Sequence, residues 1–148
     1  LRGWMGDWDA YNGFEYGTIE WQIDKTRPVG VLPKGATIQG YDVDGGQPEE
    51  LRRVAFKIPP SNVVYTWEGL QGPIAAAEMA YRAGYSDIWE CCDKALLRAV
   101  QFNYRQKWPA EGDDKWIVPI INRAYGVNIP VTGGGAGKNV GWTLWTHQ

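Results

Sequence analysis

The chain has one histidine, His147, and two cysteines, Cys91 and Cys92, in 148 residues. A single imidazole cannot build a multi-histidine metal site, and it leaves a nucleophile–histidine–acid triad no member but His147. The two cysteines are adjacent in what reads as a helix, where neighbouring side chains diverge by roughly 100°. A disulfide between them would be strained. They therefore read as free thiols filling small apolar positions, and with no other soft ligand they make no zinc site. No G-x-S-x-G elbow occurs. The GGGAGK run at 133–138 lacks both the spacing of a phosphate loop and a preceding strand, which argues against nucleotide binding.

Charge of one sign is also lacking, with 15 Lys and Arg against 17 Asp and Glu and a formal net charge of -2. Nothing in that balance favours nucleic acid or an acidic membrane surface, so an anionic ligand needs a local basic site. No apolar run approaches the ~20 residues that cross a bilayer. No signal peptide is visible, and a first residue other than methionine suggests processing or trimming.

What is abundant is tryptophan and tyrosine, nine and eight residues against three phenylalanines. Each combines a flat apolar face with a polar edge, which suits stacking on sugar rings or packing at an interface. Burial inside a helical domain explains any single one equally simply. Trp4, Trp8 and Tyr11 have helical spacing in a glycine-interrupted start. The carboxylates there, Asp7, Asp9, Glu15 and Glu20, read as solvated. Residues 26–48, rich in glycine and proline, form a long connection of the kind that often carries function.

From Pro48 the pattern becomes helical, with Pro48 at the first position and Glu49 and Glu50 in the first turn, both favourable there. Pro59 and Pro60 end this short helix. A second helix is predicted over about Trp67–Ala83, because Trp67, Leu70, Ile74, Ala77 and Tyr81 repeat at alternating spacings of three and four. Pro73 places its regular part from about Gly72. A third starts with Ser86 as N-cap and carries Ile88, Cys92, Ala95, Ala99 and Phe102 on one stripe. A tight Gly84–Tyr85 link makes the pair an antiparallel hairpin. A fourth covers Lys115–Tyr125, closed by Gly126. Trp142 and Trp145 read as a hydrophobic plug or a stacking pair.

Arginine and tyrosine remain as carriers of chemistry. Arg52 and Arg53 follow the acidic turn, and Tyr65 comes a dozen residues later. A guanidinium holds a carboxylate through two parallel hydrogen bonds, and a nearby tyrosine can exchange protons with a sugar carbon or a glycosidic oxygen. That pairing suits β-elimination of a uronate. The simpler alternative pairs the arginines with Glu49 or Glu50 and buries the tyrosine.

DGGQPEELRR, then Tyr65-T-W-E-G-Leu70, then AAAEMAYRAGYSDIW, resembles the alginate lyase family, polysaccharide lyases of (α/α) toroid fold, over about residues 42–100. The resemblance implies that Arg53 or Arg52 binds the uronate carboxylate and that Tyr65 is base and acid. Asn12, Trp4, Trp8, Tyr11 and Trp67 become candidate substrate contacts. The expected partner is an acidic polysaccharide and the expected location secreted or periplasmic; no cofactor is expected and no metal ligand is named, and whether a metal assists is left open by the sequence. Two features depart from the family pattern: an insertion containing Pro59 and Pro60, and no upstream Asn-His pair, since Asn12 has no histidine beside it.

The fold expected is mostly α: antiparallel helical hairpins forming an incomplete (α/α) toroid, with long irregular aromatic-rich loops. It would be one domain, the C-terminal part of a larger lyase-like protein, and further chain segments or subunits could complete its site. The rival readings are a non-catalytic carbohydrate-binding module and a structural or assembly subunit whose tryptophans form an interface.

Overall fold

A computed structural model describes residues 1–10, 19–132 and 146–147. Among these the fold is mostly helical, with five α-helices and one two-stranded ladder: α1 (Arg2–Met5), β1 (Thr37–Ile38), β2 (Tyr41–Asp42), α2 (Pro48–Leu51), α3 (Tyr65–Arg82), α4 (Cys91–Arg105) and α5 (Ile117–Tyr125).

The long helix α3 buries Trp67, Leu70, Ile74 and Ala77 on one stripe, as the spacing requires. It begins at Tyr65, seven residues ahead of Gly72, and runs through Pro73. Proline removes one helical hydrogen bond, but the first two turns are held from outside. The Trp67 indole N–H donates to the Trp108 carbonyl at 3.0 Å, and the Gln47 amide to the Thr66 carbonyl at 2.6 Å. Packing therefore extends the helix past the point where proline alone would start it.

The start of α3 meets the end of α4. Trp67 and Tyr104 touch edge to face at 5.9 Å, and the Asn103 amide reaches the Thr66 carbonyl. The hairpin is antiparallel, with Gly84 at its turn in a left-handed conformation (φ +99°). Helix α5 closes the third side with Ile117, Val118, Ile120 and Ile121 inward. Its Pro119 lies in the first turn, where no intrahelical donor is lost, and Gly126 caps its end at φ +63°.

Two expected boundaries differ. The third helix has no Ser86 cap. A 3-10 turn covers Ile88–Glu90, and α4 then opens with Cys92, Asp93 and Lys94 at φ of 56°, 55° and 58° before turning right-handed. The buried Arg98 side chain braces this turn, donating to the Cys92 and Asp93 carbonyls at 2.9 Å each. At the start of the chain, Gly6 (φ 109°) ends α1 after one turn, and a separate 3-10 turn covers Trp8–Ala10. Trp4 and Trp8 thus do not share a helix.

The long connection before α2 is structural. Its apolar residues Val29, Leu32, Ala36 and Val43 join Trp21, Leu51, Val63, Phe102 and Trp108 in a second core beside the one around α3, α4 and α5. The same Arg98 pins it, donating to the Leu32 carbonyl and to Asp44 at 2.7 Å each. Asp44 also accepts the Gly35 N–H.

Candidate functional site

Arg52 and Arg53 lie in the turn that closes α2. Its N-cap residue Gln47 is bonded to Thr66 in α3, and Gly69 of α3 is where the two helices touch. A Cβ on Gly69 would come within 2.7 Å of the Gln47 Oε1 and Glu50 Cγ atoms. The contact holds the arginine turn beside the first residue of α3, which is Tyr65. The inserted prolines thus lengthen the loop between them without parting its ends: the Arg53 guanidinium lies over the Tyr65 ring, 4.7 Å from its centroid.

The arginines differ in what they have left to offer. Arg52 is engaged by Glu49 through two nitrogens, Nε to Oε2 at 2.8 Å and Nη2 to Oε1. Arg53 gives only Nε, to Glu50 Oε2 at 2.6 Å, and its terminal nitrogens have no partner among the described residues. Both the Arg53 side chain (41%) and Tyr65 (46%) are open to solvent. Glu50 is more enclosed. Burial raises its pKa above the ordinary carboxyl value, and the Arg53 hydrogen bond and charge only partly offset that. The pairing with Glu49 and Glu50 expected of idle surface arginines is therefore present, yet it leaves Arg53 a fork to present.

The aromatic platforms do not converge on this pair. Trp67 is 3% exposed and its indole N–H is committed to Trp108, so it has no face for a sugar. Its position on the buried stripe of α3 is the reason. Trp4 is half-buried against the backbone of Gly30, where a Cβ would fall 1.9 Å from its indole nitrogen. Trp8 is exposed, with the Arg27 guanidinium 5.3 Å from its ring, and it lines a different cleft with Arg2, Cys91 and Cys92. Tyr11, Asn12, Trp142 and Trp145 lie outside the described residues.

A second constellation was not visible in the sequence. Glu78 of α3 is buried and accepts from Arg82 (Nε to Oε1, 2.6 Å), from Arg123 of α5 and from His147 (Nε2 to Oε1, 3.2 Å). Burial would raise the Glu78 pKa, but the Arg82 hydrogen bond, the Arg123 charge and the His147 contact outweigh it and hold the carboxyl below its ordinary value. His147 Nδ1 faces the Thr146 hydroxyl at 2.7 Å, so both ring nitrogens are occupied. A cavity of about 750 Å3 opens beside this cluster, between Met79, Arg82 and Ile120. The i,i+4 spacing of Glu78 and Arg82 is the only local signal of it that the sequence carries.

For a cation, the described residues offer Glu68, Asp113 and Asp114, whose carboxylate oxygens lie within 4.8 Å of one another. The Gln71 amide donates to Glu68 and to Asp114 in the same group.

Searches against protein-family models, curated proteins and solved structures return no match to this chain.

Proposed function

We propose that this chain acts on a uronate-containing, alginate-like polysaccharide by β-elimination, as one part of an incomplete (α/α) toroid in a secreted or periplasmic protein. In this reading the terminal nitrogens of Arg53 pair with the uronate carboxylate and neutralise it, which acidifies the neighbouring C–H bond. Tyr65 takes that proton and returns one to the leaving oxygen. Arg52, tied to Glu49, adds positive potential without being the first contact. The carrying observation is the Arg53–Tyr65 juxtaposition: a cation over a ring spends no N–H bond on it, and only one Arg53 nitrogen is engaged elsewhere.

A second reading, a non-catalytic uronate-binding module, is favoured by the histidine. His147 is bonded to Glu78 and Thr146, so no imidazole accompanies Arg53 and Tyr65. One experiment separates the two. The chain is incubated with alginate, glucuronan and pectate while the ultraviolet absorbance of unsaturated uronate is followed, and binding is measured in parallel by calorimetry. A rise that Tyr65→Phe abolishes supports elimination. A flat trace with binding that Arg53→Ala removes supports the module. Absence of both turns the exposed Val64, Tyr65, Met79 and Tyr85 of the α3 region toward assembly with another subunit.

A further inference from the structure

Cys91 and Cys92 are not placed as helix neighbours. Cys91 is extended (φ -51°, ψ 136°) and Cys92 is left-handed (φ 56°, ψ 48°), so their side chains turn toward each other instead of diverging. The two sulfurs are in direct contact. The turn that brings them together is not relaxed. Three successive non-glycine residues at positive φ are costly, and such strain persists only where the surroundings impose it. Here Arg98 braces the turn through the Cys92 and Asp93 carbonyls. Cys91 is buried and Cys92 half-buried, and both line an open cleft of about 420 Å3 with Arg2, Asp7 and Trp8.

We propose that Cys91 and Cys92 are a redox-active dithiol that closes reversibly to a vicinal disulfide by exchange with a small-molecule disulfide. The Cys91 thiolate attacks one sulfur of the incoming disulfide and expels the first small thiolate. Cys92 gives up its proton to solvent, attacks the Cys91 sulfur and expels the second. The two protein thiols are oxidised and the small disulfide is reduced to two thiols. Cys91 is suited to the first step: the Cys92 S–H hydrogen bond lowers its pKa, burial opposes that, and the charge of Arg2 assists. Cys92 is shifted the opposite way, well above the ordinary thiol value, by the same hydrogen bond and by burial. Adjacent Cα atoms are only about 3.8 Å apart, below the usual span of a disulfide. The bond formed is therefore strained and easily reduced, as regulatory disulfides are. Its closure would alter the wall of the cleft that Trp8 shares.

The test uses the whole chain equilibrated in mixtures of reduced and oxidised glutathione, quenched with acid, alkylated and weighed intact. The expected product has lost two hydrogens, carries no alkyl label and no glutathione, and regains two labels when reduced glutathione is returned in excess. Cys92→Ser, isosteric and with the first thiol intact, is expected to stop as a glutathione adduct on Cys91. Two alkyl labels on the parent chain at every mixture, a stable glutathione adduct on it, or no adduct on Cys92→Ser, would each overturn the proposal.

Discussion

Gly45 rests on the main chain of Arg98 so closely that a Cβ there would lie 2.2 Å from the Arg98 carbonyl oxygen. The loop before α2 and the helix α4 meet at that point backbone to backbone, and Gly45 is itself left-handed at φ +80°. Both facts demand glycine. Gly45→Ala is expected to destabilise the fold by about 3 kcal/mol, the sum of a strained φ and an overpacked contact. The urea midpoint of unfolding measures it, and an unchanged midpoint would show that the loop does not press on α4.

Arg98 serves the same contact with its side chain. It ties Asp44 and three carbonyls to α4 while being almost fully covered. Arg98→Ala removes the four bonds of a buried guanidinium and leaves the half-buried Asp44 carboxylate with the Gly35 N–H, and is expected to cost about 3 kcal/mol. Asp44→Asn keeps an acceptor for the guanidinium and should cost about 1 kcal/mol. Equal losses from the two substitutions, read by thermal or urea unfolding, would contradict this division.

The Glu78 cluster predicts an acid limb in stability. Its carboxyl is held below its ordinary value in the folded chain, so the folded state binds that proton less readily than the unfolded one. The contribution is therefore complete above the unfolded carboxyl value of 4.5 and is lost as pH falls through the lower folded value. Unfolding free energies measured from neutral pH down to about pH 3 should fall more steeply for the parent chain than for Glu78→Gln, which has no proton to gain.

At the uronate site, Glu50 competes with the ligand for Arg53. Its raised pKa means that it releases the guanidinium as pH drops from neutral toward the carboxyl range. Uronate binding is expected to strengthen over that interval and then fade when the ligand itself protonates. Glu50→Gln should bind more tightly than the parent at neutral pH and lose the rising limb. Arg53→Ala should weaken binding about tenfold, or about 1.4 kcal/mol. Titration calorimetry across pH decides both.

Trp67 separates fold from recognition. Trp67→Phe removes the bond to the Trp108 carbonyl and is expected to cost about 1 kcal/mol of stability, with uronate affinity unchanged. A loss of affinity at constant stability would return this side chain to the ligand-binding surface.

Helices α3 and α5 could be read in advance because a three–four spacing of apolar residues has one physical solution, burial of that stripe. The same rule argued that Trp67 belongs inside, and its aromatic character alone suggested otherwise. The start of α4 could not be read, since Ser86 and Asp87 are good capping residues and the deciding partner, Arg98, acts through carbonyls that no side-chain pattern reveals. Arg53 and Tyr65 were legible as a pair of residue types. Their approach was not, because it depends on Gln47 and Gly69 seating α2 on α3. The His147–Glu78 contact joins residues 69 positions apart, a separation at which local spacing carries no information.

Helix α4 contributes Ala95, Leu96, Ala99 and Val100 to one core and Phe102 to the other. It is thus a party wall between two rooms, and neither room keeps its insulation once the wall comes down. Melting should spread through both halves in one step, with the amides of α4 the last to trade their protons with water.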